Sequence, residues 1–188
     1  MKRVFVDIET TGLDSSRHEI IEIAMITEWD DSIDIWTAKI KPQRLAEADP
    51  YALEVNGYNN EDWADAISIK EAVFQINARL QGKCLFVGYN PSFDLGFIRK
   101  AMKDHGYDRS RVYLIDVMTL VQEHLEPAGL KRLSLDSVRD FLEMEKKGSH
   151  TALKDAEDTR QLYHRLSRAG WLSRLYWRLM HLFRILKG

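Results

Sequence analysis

The run Val4-Phe5-Val6-Asp7-Ile8-Glu9-Thr10-Thr11-Gly12 places a strand near the start of the chain and two carboxylates at its end. Strand side chains alternate between faces, so Val4, Val6 and Ile8 share one face while Phe5, Asp7 and Glu9 share the other. Two acids therefore project side by side from a hydrophobic strand. Carboxylates taken out of water need a cation or a hydrogen-bond network to compensate them. The pair alone fits a divalent metal site or two acids at a solvated strand end, and the second arrangement is the commoner.

Beyond Gly12, residues 18–26 are rich in Ile, and residues 33–40 alternate polar with apolar until Lys41-Pro42; both predict strands. The polar segment 28–32 is short enough for a hairpin turn, which predicts an antiparallel meander of three strands. Residues 50–65 read as a loop-rich region with the turn signal Asn56-Gly57. Ser68-x-x-Glu71 is a capping box; Ile69, Val73, Ile76 and Leu80 follow at helical spacing, and Gly82 marks the stop. Residues 84–88 predict a buried strand that ends at Tyr89-Asn90-Pro91. A helix is expected from about residue 92 to residues 105–106, a second buried strand over 112–117, and a further helix around Leu135, Val138 and Leu142.

The last long helical pattern begins within residues 149–158. Its apolar face carries Ala152, Ala156, Leu162 and Leu166, and Asp155 falls within the same arc. Asp158 lies at the edge of that arc and Glu157 on its polar side, so both are expected in solvent. In one continuous helix His150 would stand about 140° from Asp155, which places it instead in a loop ahead of the helix. Strands alternating with helices after an initial meander predict an α/β layered domain with a mixed sheet.

A chain of 188 residues, 45% hydrophobic and 30% charged, can bury one sizeable core. The expected organisation is one domain over residues 1–170 and a basic amphipathic helix over 171–188. The start lacks the basic region, apolar run and cleavage site of a signal peptide, and no transmembrane segment is expected. Cys84, the one cysteine, lies in an apolar run and predicts a buried structural thiol, in keeping with a reducing, cytoplasmic setting. The net charge of −2 is unevenly spread: residues 171–188 hold Arg174, Arg178, Arg184 and Lys187 and no acid, which leaves 23 basic against 29 acidic residues elsewhere. A body this acidic repels a polyanion, so phosphate chemistry there would need metal ions and local basic contacts.

Five residues are read together: Asp7, Glu9, Asp94, His150 and Asp155. Asp94 directly follows a predicted buried strand and is expected in a loop at the sheet edge. Carboxylates gathered from several elements suit Mg2+ or Mn2+. Two such ions about 3.5–4 Å apart can activate a water and stabilise the leaving oxygen of an in-line phosphoryl displacement. A histidine outside the metal shell can take the water's proton near neutral pH.

The segments Val6-Asp7-Ile8-Glu9-Thr10-Thr11-Gly12-Leu13, Gly88-Tyr89-Asn90-Pro91-Ser92-Phe93-Asp94 and His150-x-x-x-x-Asp155 together resemble the three motifs of the DEDDh family. These are 3′-to-5′ exonucleases typified by the proofreading subunit of bacterial replicative polymerase. The resemblance covers about residues 4–166 and implies a ribonuclease H-like three-layer fold, with a mixed five-stranded sheet and helices on both faces. It implies two divalent ions, Mg2+ or Mn2+, with Asp7 as the bridging ligand, Glu9 and Asp155 completing the tighter site, and Asp94 holding the second ion. It makes His150 the general base. The Thr10 and Thr11 backbone would grip the terminal 3′ hydroxyl, Leu13 would pack on the last bases, and Asn90 would have a positioning role.

The implied activity is hydrolysis of phosphodiester bonds from the 3′ end of single-stranded DNA, with release of nucleoside 5′-monophosphates. Short RNA is the near alternative. An inactive module that binds nucleic acid or a replication partner, and a hydrolase of other phosphate compounds, are the readings from other classes. Gly88-Tyr89-Asn90 stands where many members have Ala-His-Asn, and Asn56-Gly57 where His-Gly is frequent; both departures bear on substrate preference. Asp116 is read as structural, and His105, His124 and His164 as surface or capping residues. In the tail, Trp171, Leu175, Leu179, Leu182 and Leu186 form one helical stripe. That helix could dock on its own domain, meet a protein partner, lie on an anionic membrane surface or contact nucleic acid.

Overall fold

The computed structural model describes residues 1–107, 112–148, 150–170, 173 and 176–179. The first strand, β1 (Lys2–Thr10), pairs antiparallel with β2 (Ile20–Trp29), which pairs antiparallel with β3 (Ser32–Lys39). On its other side β1 pairs in parallel with β4 (Cys84–Gly88), and β4 in parallel with β5 (Tyr113–Asp116). The sheet is therefore mixed, in the order β3-β2-β1-β4-β5, with the motif strand at its centre. The helices are α1 (Pro50–Val55), α2 (Ile69–Arg79), α3 (Pro91–Asp104), α4 (Val117–Leu125), α5 (Leu135–Leu142) and α6 (Ala152–Leu166).

The alternation along β1 divides the core in two. Val4, Val6 and Ile8 pack with Val73 and Ile76 of α2 and with Leu95 and Ile98 of α3. Phe5 faces the opposite layer, among Val121 and Leu125 of α4 and Ala156 and Leu162 of α6. Each fully buried side chain of this size is worth about 1.5–3 kcal/mol relative to exposure. With Phe5 fixed on that side, strand geometry delivers Asp7 and Glu9 to the layer of α6.

Several expectations need correction. Residues 50–55 form α1, opened by Pro50 and capped by Asp49, whose carboxylate accepts from Tyr51 N at 2.9 Å. Six residues are too few to leave a readable helical period. The strand expected to be buried over 112–117 is the edge strand β5, with Tyr113 60% and Leu114 43% exposed. Asp116 ends it by capping α4: its carboxylate accepts from Met118 N at 2.9 Å and from Asn90 N at 3.0 Å, a structural use of that acid. Cys84 is buried, as expected.

His105 contacts the Ala101 carbonyl at 2.9 Å and so caps the end of α3. His124, by contrast, is buried, and His164 reaches Glu28 at 2.9 Å, so neither is a free surface residue. Trp171, Arg174, Leu175, Leu182, Arg184, Leu186 and Lys187 lie outside the described residues. Within the described part of the tail, Trp177 is the buried side chain, edge-on to His124 and beneath the Arg165 guanidinium, while Leu179 is 57% exposed. Leu179, the described member of the expected stripe, is thus exposed while Trp177, outside that stripe, is buried. Among the described residues no helix is long and apolar enough to cross a membrane.

Candidate active site

Four acids reach the site from three elements. Asp7 and Glu9 come from the end of β1. Asp94 lies in the first turn of α3 and Asp155 in the first turn of α6, where the helix N-terminus favours a negative charge. Two local features aim α3. Gly88 lets the chain turn closely, since a Cβ there would stand 2.8 Å from the Pro91 side chain, and Asn90 adopts a left-handed conformation with φ 59°. For α6, Thr151 caps the helix by accepting from Lys154 N. Glu22, the partner of Glu9 across β1 and β2, accepts from Ala152 N at 3.1 Å.

Asp7, Glu9 and Asp155 each offer a carboxylate oxygen within 4.8 Å of the others. Asp94 lies outside that trio. It is buried within α3 rather than displayed on a loop, and its Oδ1 accepts from Ile8 N at 3.1 Å, which ties the helix to the end of β1. The expectation of an exposed loop acid fails because Pro91 begins the helix immediately after the turn.

Burial raises every one of these acids. Burial pushes the Glu9 carboxyl up to about 8, with Asp155, Glu22 and Asp94 adding to it. Burial pushes Asp94 up to about 7. Asp7 lies well above the usual carboxylate range, through burial and then the charges of Asp94, Asp155 and Glu9. Asp155 is raised by burial against the opposing pull of Arg139. Oxygen donors gathered this closely, with charge left uncompensated, fit a hard divalent cation.

His150 precedes the helix, as its spacing predicts. Its backbone is left-handed, with φ 64°, its N–H lies 3.3 Å from Asp155 Oδ1, and its exposed ring places Nε2 3.5 Å from Asp136 Oδ2. Next to β1 the chain turns at Gly12, where any Cβ would collide with the His18 ring at 2.6 Å, and Leu13 is left 81% exposed. The backbone of this turn is engaged inside the fold. Thr11 N donates to Glu19 O, Thr11 O accepts from Asp49 N, and Thr10 O accepts from the Asn56 side chain at 2.8 Å. Asn90 is exposed, and its carboxamide is not used to cap α3.

Two residues escaped the sequence reading. Arg139 is 1% exposed; its Nη2 donates to Asp155 Oδ1 at 2.6 Å, its Nε to Asp158 Oδ2 at 2.8 Å, and its Nη1 to Asp136 Oδ1 at 2.9 Å. Asp158, expected in solvent, is 2% exposed and held by Arg139 and Lys154. Its place at the edge of the apolar arc was the available signal, but the arginine that meets it comes from another helix.

A central strand carrying two acids to the first turns of two helices, in a mixed five-stranded sheet, defines a ribonuclease H-like α/β fold. The family model described as "Exonuclease" matches residues 4–163, and the chain belongs to that family, in its DEDDh (DnaQ-like) branch. A PolC-type DNA polymerase III from Thermotoga petrophila is 35% identical over 164 residues, covering 86% of this chain and 12% of the polymerase. Ribonuclease T from Shewanella sp. (strain W3-18-1) is 29% identical over 178 residues, covering 85% of this chain and 78% of that protein. A crystal structure of E. coli exonuclease I with a dT13 oligonucleotide superposes with TM-score 0.77 at 18% identity, covering 98% of this chain and 43% of that one. The chain thus spans about an eighth of the PolC-type relative and less than half of exonuclease I.

Proposed function

We propose that the chain is a metal-dependent 3′-to-5′ exonuclease that removes nucleoside 5′-monophosphates from the end of single-stranded DNA. The observation that carries this reading is the trio Asp7, Glu9 and Asp155, whose oxygens converge at the end of the central strand beside the exposed Leu13. Asp7, Glu9 and Asp155 would hold one divalent ion and Asp94, with Asp7, a second, either Mg2+ or Mn2+. Bound there, such ions supply Lewis acidity to a phosphodiester and a more acidic water.

The remaining work falls to the chain. His150, half-exposed on its loop, takes the proton of the attacking water. Leu13 offers an apolar surface to the terminal base, and the exposed Asn90, whose carboxamide does not cap α3, orients the strand. Because Thr11 N is already bonded to Glu19 O, the turn at Thr10 and Thr11 positions the 3′ end by its shape more than by free amide donors. The likeness to Ribonuclease T over most of that protein's length supports short RNA as a second substrate class.

The test is incubation of the full chain with 5′-labelled DNA and RNA oligonucleotides, with Mg2+ or Mn2+ and again with chelator. Wild type gives a ladder shortening from the 3′ end, and Asp7→Ala loses more than about 100-fold of the rate. Equal ladders from both proteins would overturn the reading. The length of the DNA ladder against the RNA ladder separates the two substrates.

A further inference from the structure

We propose that Arg139 is the positioning residue of the acid cluster: it holds Asp155 in its ligating pose and joins α5 to the site. This inference rests on the metal-dependent reading above. It starts from an unusual burial, since an arginine 1% exposed is tolerated only when its charge and donors are fully used. Arg139 meets that condition with three acids, Asp155, Asp158 and Asp136, each through a different nitrogen.

The arrangement is asymmetric in a useful way. Asp155 Oδ1 is taken by Arg139 Nη2 and the His150 N–H, which leaves Oδ2 as the oxygen free of these two bonds. Without that grip Asp155 would face Asp7 and Glu9 with no counter-charge, and repulsion would favour a rotamer turned away from them. Arg139 and the neighbouring Lys154 together add no net charge towards an incoming cation, because Asp136 and Asp158 offset the two. Asp136 extends the connection, since its second oxygen lies 3.5 Å from His150 Nε2. One buried cation thus touches the third acid of the trio directly and reaches the histidine through a single carboxylate. Groups placed behind metal ligands in this way typically change metal affinity 10–100-fold.

The experiment titrates Mn2+ alone into the full chain by calorimetry and follows thermal unfolding and oligonucleotide kinetics in parallel. Arg139→Met leaves Lys154 as the remaining cation on the buried Asp158 and can fail to fold, so the decisive protein is Arg139→Met/Asp158→Leu, with Asp158→Asn as the companion that keeps the Arg139–Asp155 contact. The double variant is expected to fold, to bind Mn2+ about tenfold more weakly, and to keep its KM for oligonucleotide at saturating Mn2+. Asp158→Asn is expected to melt earlier yet bind Mn2+ like wild type, and Arg139→Lys to recover part of the lost affinity. A folded double variant with wild-type Mn2+ affinity, beside an active wild type, overturns the inference and leaves the exonuclease reading standing. A wild type that neither binds Mn2+ nor shortens oligonucleotides overturns both.

Discussion

Glu28 and Glu9 are glutamates on adjacent strands of one sheet, at opposite ends of β1, and their surroundings could hardly differ more. Glu28 is 5% exposed and receives Arg3 Nε at 2.9 Å, Arg160 Nε at 2.6 Å and His164 Nε2 at 2.9 Å. Burial alone would raise its carboxyl, but the bonds from His164, Arg3 and Arg160 outweigh burial and hold it below the usual glutamate range. Glu9 has neighbours of its own sign, and burial, Asp155 and Glu22 push it up to about 8. Burial therefore does not by itself set the direction of the shift; the supply of internal cations does. The protein surrounds Glu28 with three cationic or hydrogen-bonding side chains and sets Glu9 among acids whose one close cation, among the described residues, is the Arg139 held by Asp155.

The strongest challenge to this contrast is a pair of neutralising substitutions. Glu28→Gln should destabilise the chain by about 2 kcal/mol through weakened charged hydrogen bonds, a fall of roughly 4–8 °C in Tm for a chain of this size. Asp7→Asn should instead raise the Tm of the chelated protein at pH 8, because it removes one charge from a repelling cluster. Thermal unfolding of both proteins checks this, and a Glu28→Gln chain that melts with wild type would erase the distinction.

A smaller effect lies in pH. A carboxyl raised on folding contributes stability that is present below its unfolded value and lost as pH rises through its folded value. For Glu9 that window runs from 4.5 to about 8, and for Asp94 from 3.8 to about 7. The lowered carboxyl of Glu28 works in reverse: its stability is present above 4.5 and is lost as pH falls through the lower folded value. Chelated protein should therefore lose Tm from pH 5 to pH 8, and Mn2+ should restore it at pH 8. Asp7→Asn should flatten the alkaline limb and Glu28→Gln the acidic one. The smallest effect is expected from Leu13→Ala, a rise of a few-fold in KM for oligonucleotide with unchanged Tm and Mn2+ affinity, since the side chain is almost wholly exposed.

Much of the motif strand could be read in advance because its information is local. Alternation along Val4 to Glu9 sets the face of each acid, and the Ser68 cap and the Thr11-Gly12 turn are decided by neighbours in the chain. The same logic failed for Asp158, Arg139 and Trp177, whose environments are made by pairs of elements. Helical projection placed Asp158 at the edge of an arc without showing that Arg139 of α5 would cover it. Trp177 is buried against His124 of α4 and Arg165 of α6, a meeting with no period in the sequence. β5 read as buried because its composition is apolar, although strand order, which composition does not record, puts it at the edge.

The central position of β1 also has a consequence in time. A ribosome makes Asp7 and Glu9 well over a hundred residues before Asp155, the partner that closes their trio. At about 5–20 residues per second that interval is roughly seven to thirty seconds. Throughout it the two acids stand on a strand with no α6 to meet them, so a nascent chain cannot present the assembled trio. In an enzyme that would degrade nucleic acid, the order of synthesis itself keeps the unfinished molecule harmless.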